Sequence, residues 1–193
     1  MKHEITIAYS DILLRPVQEN DLESLRTWRN DSMISQFLIK TDYITPEKQL
    51  EWFKKTTADT DSYLFAIEES KALNRIIGSL SVYNIRDDIV EYGRLMIGDD
   101  EAHGKGLGFM AVTSIVYYAF EKLKKSIVEC NIHEENIPCL KVHYKVGFTV
   151  QGEVSDPDGG KELILRVEKE SFYKKHDFLN SITIKESHNE RGE

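Results

Sequence analysis

Hydrophobic positions change period several times along this chain, and each change marks an element. Ile12-Leu13-Leu14-Arg15-Pro16 reads as a first strand, closed by a proline that cannot donate to a central ladder. Asn20, with Glu23 three residues on, forms a capping box for a helix that sets Leu22, Leu25 and Trp28 on one face and ends at Asn30-Asp31. Thr45-Pro46-Glu47 starts a second helix, carrying Leu50 and Phe53, with a cap followed by proline at the first helical position. Tyr63 to Ile67, Ile76 to Tyr83 and Val90 to Ile97 are strand-like runs joined by short polar turns, the pattern of an antiparallel meander. Gly93 inside the third run marks a bulge or the close approach of another chain. Phe109, Val112, Val116, Phe120 and Leu123 make one buried stripe of a long helix. Ile127 to Ile132 reads as a strand, and Asn136 or Pro138 opens a short helix that stops at Gly147. Phe148 to Val154 and Glu162 to Val167 read as the last strands, with a turn at Asp156-Pro157-Asp158-Gly159-Gly160.

These elements fit one domain over residues 1–184, followed by a polar tail, 185–193, that is expected to fray. Composition changes the picture little. The net charge of −8 comes from scattered acidic residues, which argues against nucleic acid as a partner and fits an amine-bearing substrate, although the same charge also serves solubility. No apolar run reaches the roughly 20 residues of a membrane span, so no membrane partner is expected. The start, Met-Lys-His-Glu-Ile-Thr, has no apolar h-region, which predicts a cytoplasmic protein, monomer or homodimer. Cys130, His133, Cys139 and His143 have metal-like ligand types, but Cys130 alternates with Val128 and Ile132 as an apolar strand position, and no metal is expected.

The chemistry centres on Ala102-His103-Gly104-Lys105-Gly106-Leu107-Gly108. A strand, a glycine-rich turn and a helix aim unpaired N–H groups and the positive end of the helix dipole at one spot, a cradle for phosphate or pyrophosphate. A P-loop would need Lys and then Ser or Thr after its last glycine, whereas Gly108 is followed by Phe109 and Met110. The dinucleotide fingerprint would need G-x-G-x-x-G near the start of a βαβ unit, and this is G-x-G-x-G deep in the chain.

The stretch resembles the acetyl-CoA signature of the GCN5-related N-acetyltransferases, Arg/Gln-x-x-Gly-x-Gly/Ala, with Gly106 and Gly108 as the small positions and His103 where Arg or Gln is usual. Asn136 through Phe148 resembles the family's second signature, an Asn followed by a short helix ending in Gly-Phe, with His143 where a Tyr is usual. The resemblance covers roughly Ile12 to Phe172 and implies an α/β fold with a central mixed, mostly antiparallel sheet flanked by helices on both faces. It implies acetyl-CoA as co-substrate, its pyrophosphate on His103, Gly104, Lys105, Gly106, Leu107 and Gly108, its pantetheine arm along Leu95, Met96 and Ile97, and Asn136 beside it. It also places the acceptor near Trp28, Arg29 and Asn30. The branch it is most similar to includes ribosomal-protein N-terminal and nucleotide-linked amino-sugar acetyltransferases, and Glu91-Tyr92-Gly93-Arg94 leans to the latter.

Acetyl transfer from a thioester to an amine requires that an ammonium of pKa roughly 10 lose a proton and that the departing thiolate gain one. Glu91 is the first candidate base and Glu129 the second. Asn136, Cys139 and His143 share a helical face, which makes His143 the candidate acid, with Tyr144, turned about 100° away, as the alternative. A small-molecule amine, such as a nucleotide-linked amino sugar, is the expected acceptor. A protein N-terminus, or a CoA-binding sensor without turnover, are the other readings.

Overall fold

In the computed structural model, which describes residues 3–38, 41–155, 160–176 and 179–186, the described residues form fifteen α-helices and β-strands in order. They are β1 (Ile5–Tyr9), β2 (Ile12–Pro16), α1 (Leu22–Asn30), α2 (Ser32–Ser35), α3 (Pro46–Ala58), β3 (Tyr63–Glu69), β4 (Arg75–Tyr83) and β5 (Ile89–Ile97), then α4 (Leu107–Glu121), β6 (Ile127–His133), α5 (Ile137–Val146), β7 (Thr149–Ser155), β8 (Lys161–Glu168), α6 (Lys169–Lys175) and β9 (Thr183–Glu186). Among the described residues the strands make one sheet in the order β7-β8-β6-β5-β4-β3-β2-β1-β9. Every pairing is antiparallel except that of β5 with β6. The mixed, mostly antiparallel sheet is therefore the one the sequence implied.

Side-chain alternation along β3 distributes its residues between two cores. Phe65 and Ile67 join Val112, Val116 and Phe120 of α4 on one face, while Leu64 and Ala66 join Leu22, Leu25 and Phe53 of α1 and α3 on the other. Burial of each large apolar side chain contributes about 1.5–3 kcal/mol, so both helical layers are held by the same central strand. The α4 stripe is real, but Ala111, Ile115 and Ala119 are buried too, and the helix is enclosed on most sides. No helix of the described residues is long and apolar enough to cross a membrane.

Several boundaries differ from the sequence reading. Ile12–Pro16 is the second strand, because Ile5–Tyr9 pairs with it and also with β9. Lys185 and Glu186 lie in β9, opposite Thr6 and Ile5, so the sheet runs two residues past the expected start of the tail. The turn expected at Asp156, Pro157, Asp158 and Gly159 lies outside the described residues.

The capping box also sits elsewhere. A 3-10 turn, Glu19–Asp21, precedes α1, and its cap is Gln18, whose backbone N–H donates to Asp21 Oδ2 at 2.8 Å. Asp21 also accepts two N–H groups of Arg15, at 2.8 and 3.0 Å, and Arg15 donates to Glu68 of β3 at 2.7 Å. This buried network ties the start of α1 to the sheet. Asp21→Ala should cost about 3 kcal/mol, because it strips a cap and leaves a largely buried guanidinium half-paired. Glu23→Ala removes only a surface pair with Arg26 and should leave the unfolding midpoint nearly unchanged. Denaturant unfolding of the two variants checks both values.

Candidate active site

Beyond Glu91 the sheet comes apart. β5 and β6 are in parallel register only from Ile89 opposite Ile127 to Glu91 opposite Glu129. From there β5 follows β4 to Ile97, and β6 follows β8 to His133. Each strand keeps an antiparallel partner on its outer edge, and the two ladders diverge to leave a wedge between β5 and β6. A cavity of about 1170 Å³ fills it, walled by Tyr92 to Met96 on one side and Cys130 to His133 on the other.

The β5 wall is bent. Ser79 faces Met96 and Ser81 faces Gly93, so Arg94 and Leu95 together oppose Leu80 in a β-bulge, with Arg94 at φ 53°. Gly93 is needed for a second reason, since a Cβ there would lie 2.4 Å from the Tyr83 hydroxyl. The edge of β5 facing β6, past Glu91 and through Leu95, Met96 and Ile97, has no strand partner among the described residues. An extended ligand can pair along it.

The glycine loop stands at the far end of β5. Gly104 and Gly106 have φ of 74° and 75°, and Gly106 caps α4 with no side-chain hydrogen bond. The first helical bond is Met110 N–H to the Gly106 carbonyl at 3.2 Å, so the N–H groups of Leu107, Gly108 and Phe109 have no acceptor in the helix. A Cβ at Gly108 would meet only Ile97 and Val142, at 3.9 and 4.0 Å. Packing does not demand glycine there. Lys105 is exposed on the loop. His103 Nε2 lies 3.0 Å from the Ile97 carbonyl and braces the loop against β5.

The three consecutive residues of α1 go to three places. Trp28 packs on Gly98, where a Cβ would lie 2.2 Å from its ring. Asn30 exchanges two 2.9 Å hydrogen bonds with the Ile44 backbone and fixes the segment leading to α3. Of the three, only Arg29 lines the cavity. Its Nε is buried without a partner among the described residues, and burial, then the nearby Arg94 charge, push its guanidinium below the usual range. Gln49 of α3, 3% exposed, also lines the cavity with an unpartnered amide nitrogen. Sequence reading missed Gln49 and Arg94, although an arginine directly after a strand glycine was a signal for the latter.

On the opposite wall Asn136 caps α5 by accepting the Cys139 N–H at 3.2 Å, and Asn136, Cys139 and His143 line the cavity. Tyr144 is not brought there: the helix turns it outward, 44% exposed, which removes it as the alternative acid. His143 is 1% exposed, its Nδ1 is 2.7 Å from the Cys139 carbonyl, and its Nε2 meets the Tyr92 hydroxyl. Burial lowers its pKa to about 4 against the opposing pull of that carbonyl. Glu91 lines the cavity at the apex of the wedge and accepts from Asn84 Nδ2 at 2.7 Å. Glu129 is spent on Arg166 and Arg86, at 2.6 and 3.1 Å; burial would raise its pKa, but the two arginines hold it below the usual carboxylate range. Among the described residues no three His, Cys, Asp or Glu side chains gather as a metal site.

Residues 11–149 match the family described as "Acetyltransferase (GNAT) domain". The chain is 29% identical over 140 residues to "Acetyltransferase PseH" of Campylobacter jejuni subsp. jejuni, covering 72% of this chain and 84% of that protein. It is 28% identical over 149 residues to "Probable N-acetyltransferase YjcK" of Bacillus subtilis, covering 73% and 82%. Among solved structures, the spermidine N-acetyltransferase from Vibrio cholerae in complex with CoA and spermine superposes with a TM-score of 0.74 at 18% identity, over 85% of this chain and 99% of that one.

The His143 environment sets an acid limb for stability. Its folded pKa, about 4, lies below the unfolded value near 6.5, so the unfolded chain takes the proton first and stability falls as pH drops from 6.5 towards 4. The residue's share of that fall is about 3 kcal/mol. Denaturant midpoints at several pH values should show His143→Gln losing less stability than the wild type across that window.

Proposed function

The chain belongs to the GNAT acetyltransferase family, and we propose that it acetylates a primary amine on a small, anionic molecule, such as a nucleotide-linked amino sugar. The observation that carries the acceptor class is the pair of unpartnered buried donors, Arg29 Nε and Gln49 Nε2, on one wall of the wedge. A buried donor without an acceptor costs about 1–3 kcal/mol, and two arginines facing each other add repulsion. Phosphate and sugar oxygens relieve both costs, whereas a polyamine would bring more positive charge to the same wall. The similarity to "Acetyltransferase PseH" supports the acetyltransferase reading.

In this reading acetyl-CoA lies along the wedge as co-substrate. Loop residues His103 to Gly108, with the Leu107, Gly108 and Phe109 amides, hold its pyrophosphate; the free edge at Leu95, Met96 and Ile97 pairs with its arm; Asn136 borders the arm from α5. Glu91, at the apex, takes the ammonium proton directly or through water. Trp28 and Asn30 support Arg29 rather than touching the acceptor.

Thiol release from acetyl-CoA with a UDP-linked amino sugar, glucosamine, spermidine and a short peptide as acceptors tests the class, and the UDP-linked amine should react fastest. Arg29→Ala should raise the acceptor KM roughly 10- to 100-fold, the worth of a charged hydrogen bond, with little change in the acetyl-CoA KM. Equal effects on both substrates would count against the assignment. Gly108→Ala should leave the fold intact, even gaining up to about 1 kcal/mol from helix propensity, while weakening CoA binding measured by calorimetry.

A further inference from the structure

We propose that Tyr92 supplies the proton to the departing thiolate and that His143 is the positioning residue that holds its phenol; this rests on the acetyl-transfer reading above. The assignment follows from which atoms can donate. A carbonyl oxygen only accepts, so the 2.7 Å contact between the Cys139 carbonyl and His143 Nδ1 places the ring proton on Nδ1. Nε2 is then a lone pair, and the Tyr92 hydroxyl that meets it is the donor. On the side that looks across to β5, His143 has no proton to give, and Tyr92 has one.

Packing fixes this arrangement. The Tyr92 and His143 rings lie within 13° of parallel with centroids 5.7 Å apart, and Phe148 sits edge-on to His143 at 5.1 Å. Tyr92 is the first residue of β5 beyond the last parallel pair, so it stands at the apex of the wedge, and it lines the cavity together with His143. The titratable groups facing the pair are Cys130 of β6, Cys139 of α5 and Tyr83 of β4, with Glu91 next along the strand. Burial keeps both thiols protonated, Cys139 up to about 12, so neither becomes charged against the pair in the neutral range. Burial likewise raises the Tyr92 phenol well above its usual value, and the neutral imidazole cannot take its place as an acid near pH 7.

The step balances. As the carbon–sulfur bond breaks and its electron pair moves to sulfur, the Tyr92 hydroxyl turns its single proton away from His143 Nε2 and gives it to that sulfur. Tyr92 then regains a proton from the acceptor nitrogen as this becomes an amide, and Glu91 passes the other ammonium proton to water.

The test begins on CoA alone, which separates this proposal from the acceptor assignment. Ultraviolet titration of the thiolate of enzyme-bound CoA should give a thiol pKa about one unit lower in the wild type than in Tyr92→Phe, because the phenol donates to the thiolate. Desulfo-CoA should bind both proteins equally. With the amine that releases most thiol in the acceptor panel, Tyr92→Phe should lower kcat roughly 100-fold at unchanged acetyl-CoA KM. His143→Gln, whose amide oxygen still accepts from the phenol, should retain more activity than His143→Leu. If CoA fails to bind the wild type, the acetyl-transfer reading falls and takes this proposal with it. If CoA binds but Tyr92→Phe titrates its thiol identically and keeps wild-type kcat, only the Tyr92 assignment is overturned. Should Tyr92→Phe not fold, the wild-type profile decides: kcat level from about pH 7 to 9 supports Tyr92, and a fall centred near the usual imidazole pKa of about 6.5 overturns it.

Discussion

The site depends on two neighbouring strands being fastened at one end and held apart at the other. The fastening is the short parallel pairing that ends at Glu91 and Glu129, and Glu129 is clamped there by Arg166 from β8 and Arg86 from the turn before β5. Beyond it the two strands follow different partners, β5 along β4 from Glu91 to Ile97 and β6 along β8 from Ile127 to His133. The bulge at Arg94 and Leu95 then adds twist to β5, as an inserted residue does in an antiparallel pair. Backbone edge, glycine loop and cavity are all consequences of that one divided junction.

Charge at the site runs opposite to charge over the chain. The sequence carries −8, yet the wall formed by Arg29 and Arg94 is positive and holds a guanidinium nitrogen with no partner. Net charge acts on solubility and on encounter over a Debye length, whereas a ligand in a walled cavity feels its immediate neighbours at lower dielectric. On the proposed acceptor class, an acidic chain suits only the amine group, and the positive wall suits the remainder of the molecule.

What the sequence made legible was local. Gly104, Gly106 and Gly108 between a strand and an apolar helix needed no tertiary knowledge, and neither did the turn of about 100° per residue that separates His143 from Tyr144. The same rotation explains why Trp28, Arg29 and Asn30, adjacent in sequence, do three different jobs. The capping rule found the right kind of motif but placed it at Asn20 and Glu23, because Gln18 followed by Asp21 does not match the usual serine-or-threonine pattern. β1 and β9 were illegible because each is short and exists by pairing with the other from the opposite end of the chain. The proton state of His143 was equally hidden, since it is set by tertiary burial against the pull of the Cys139 carbonyl.

The pairing of β1 with β9 has a mechanical consequence. Ile5 lies directly opposite Glu186 in an antiparallel pair at the edge of the sheet, so the outer ends of the two strands leave the fold side by side. Tension applied through the chain on either side would peel the ladder open one hydrogen-bonded pair at a time, at low force, instead of shearing many pairs together. Four strands, β1 to β4, then stand between that yielding edge and the wedge at β5, so strain entering through the termini is spent in the outermost pair before it reaches the cavity.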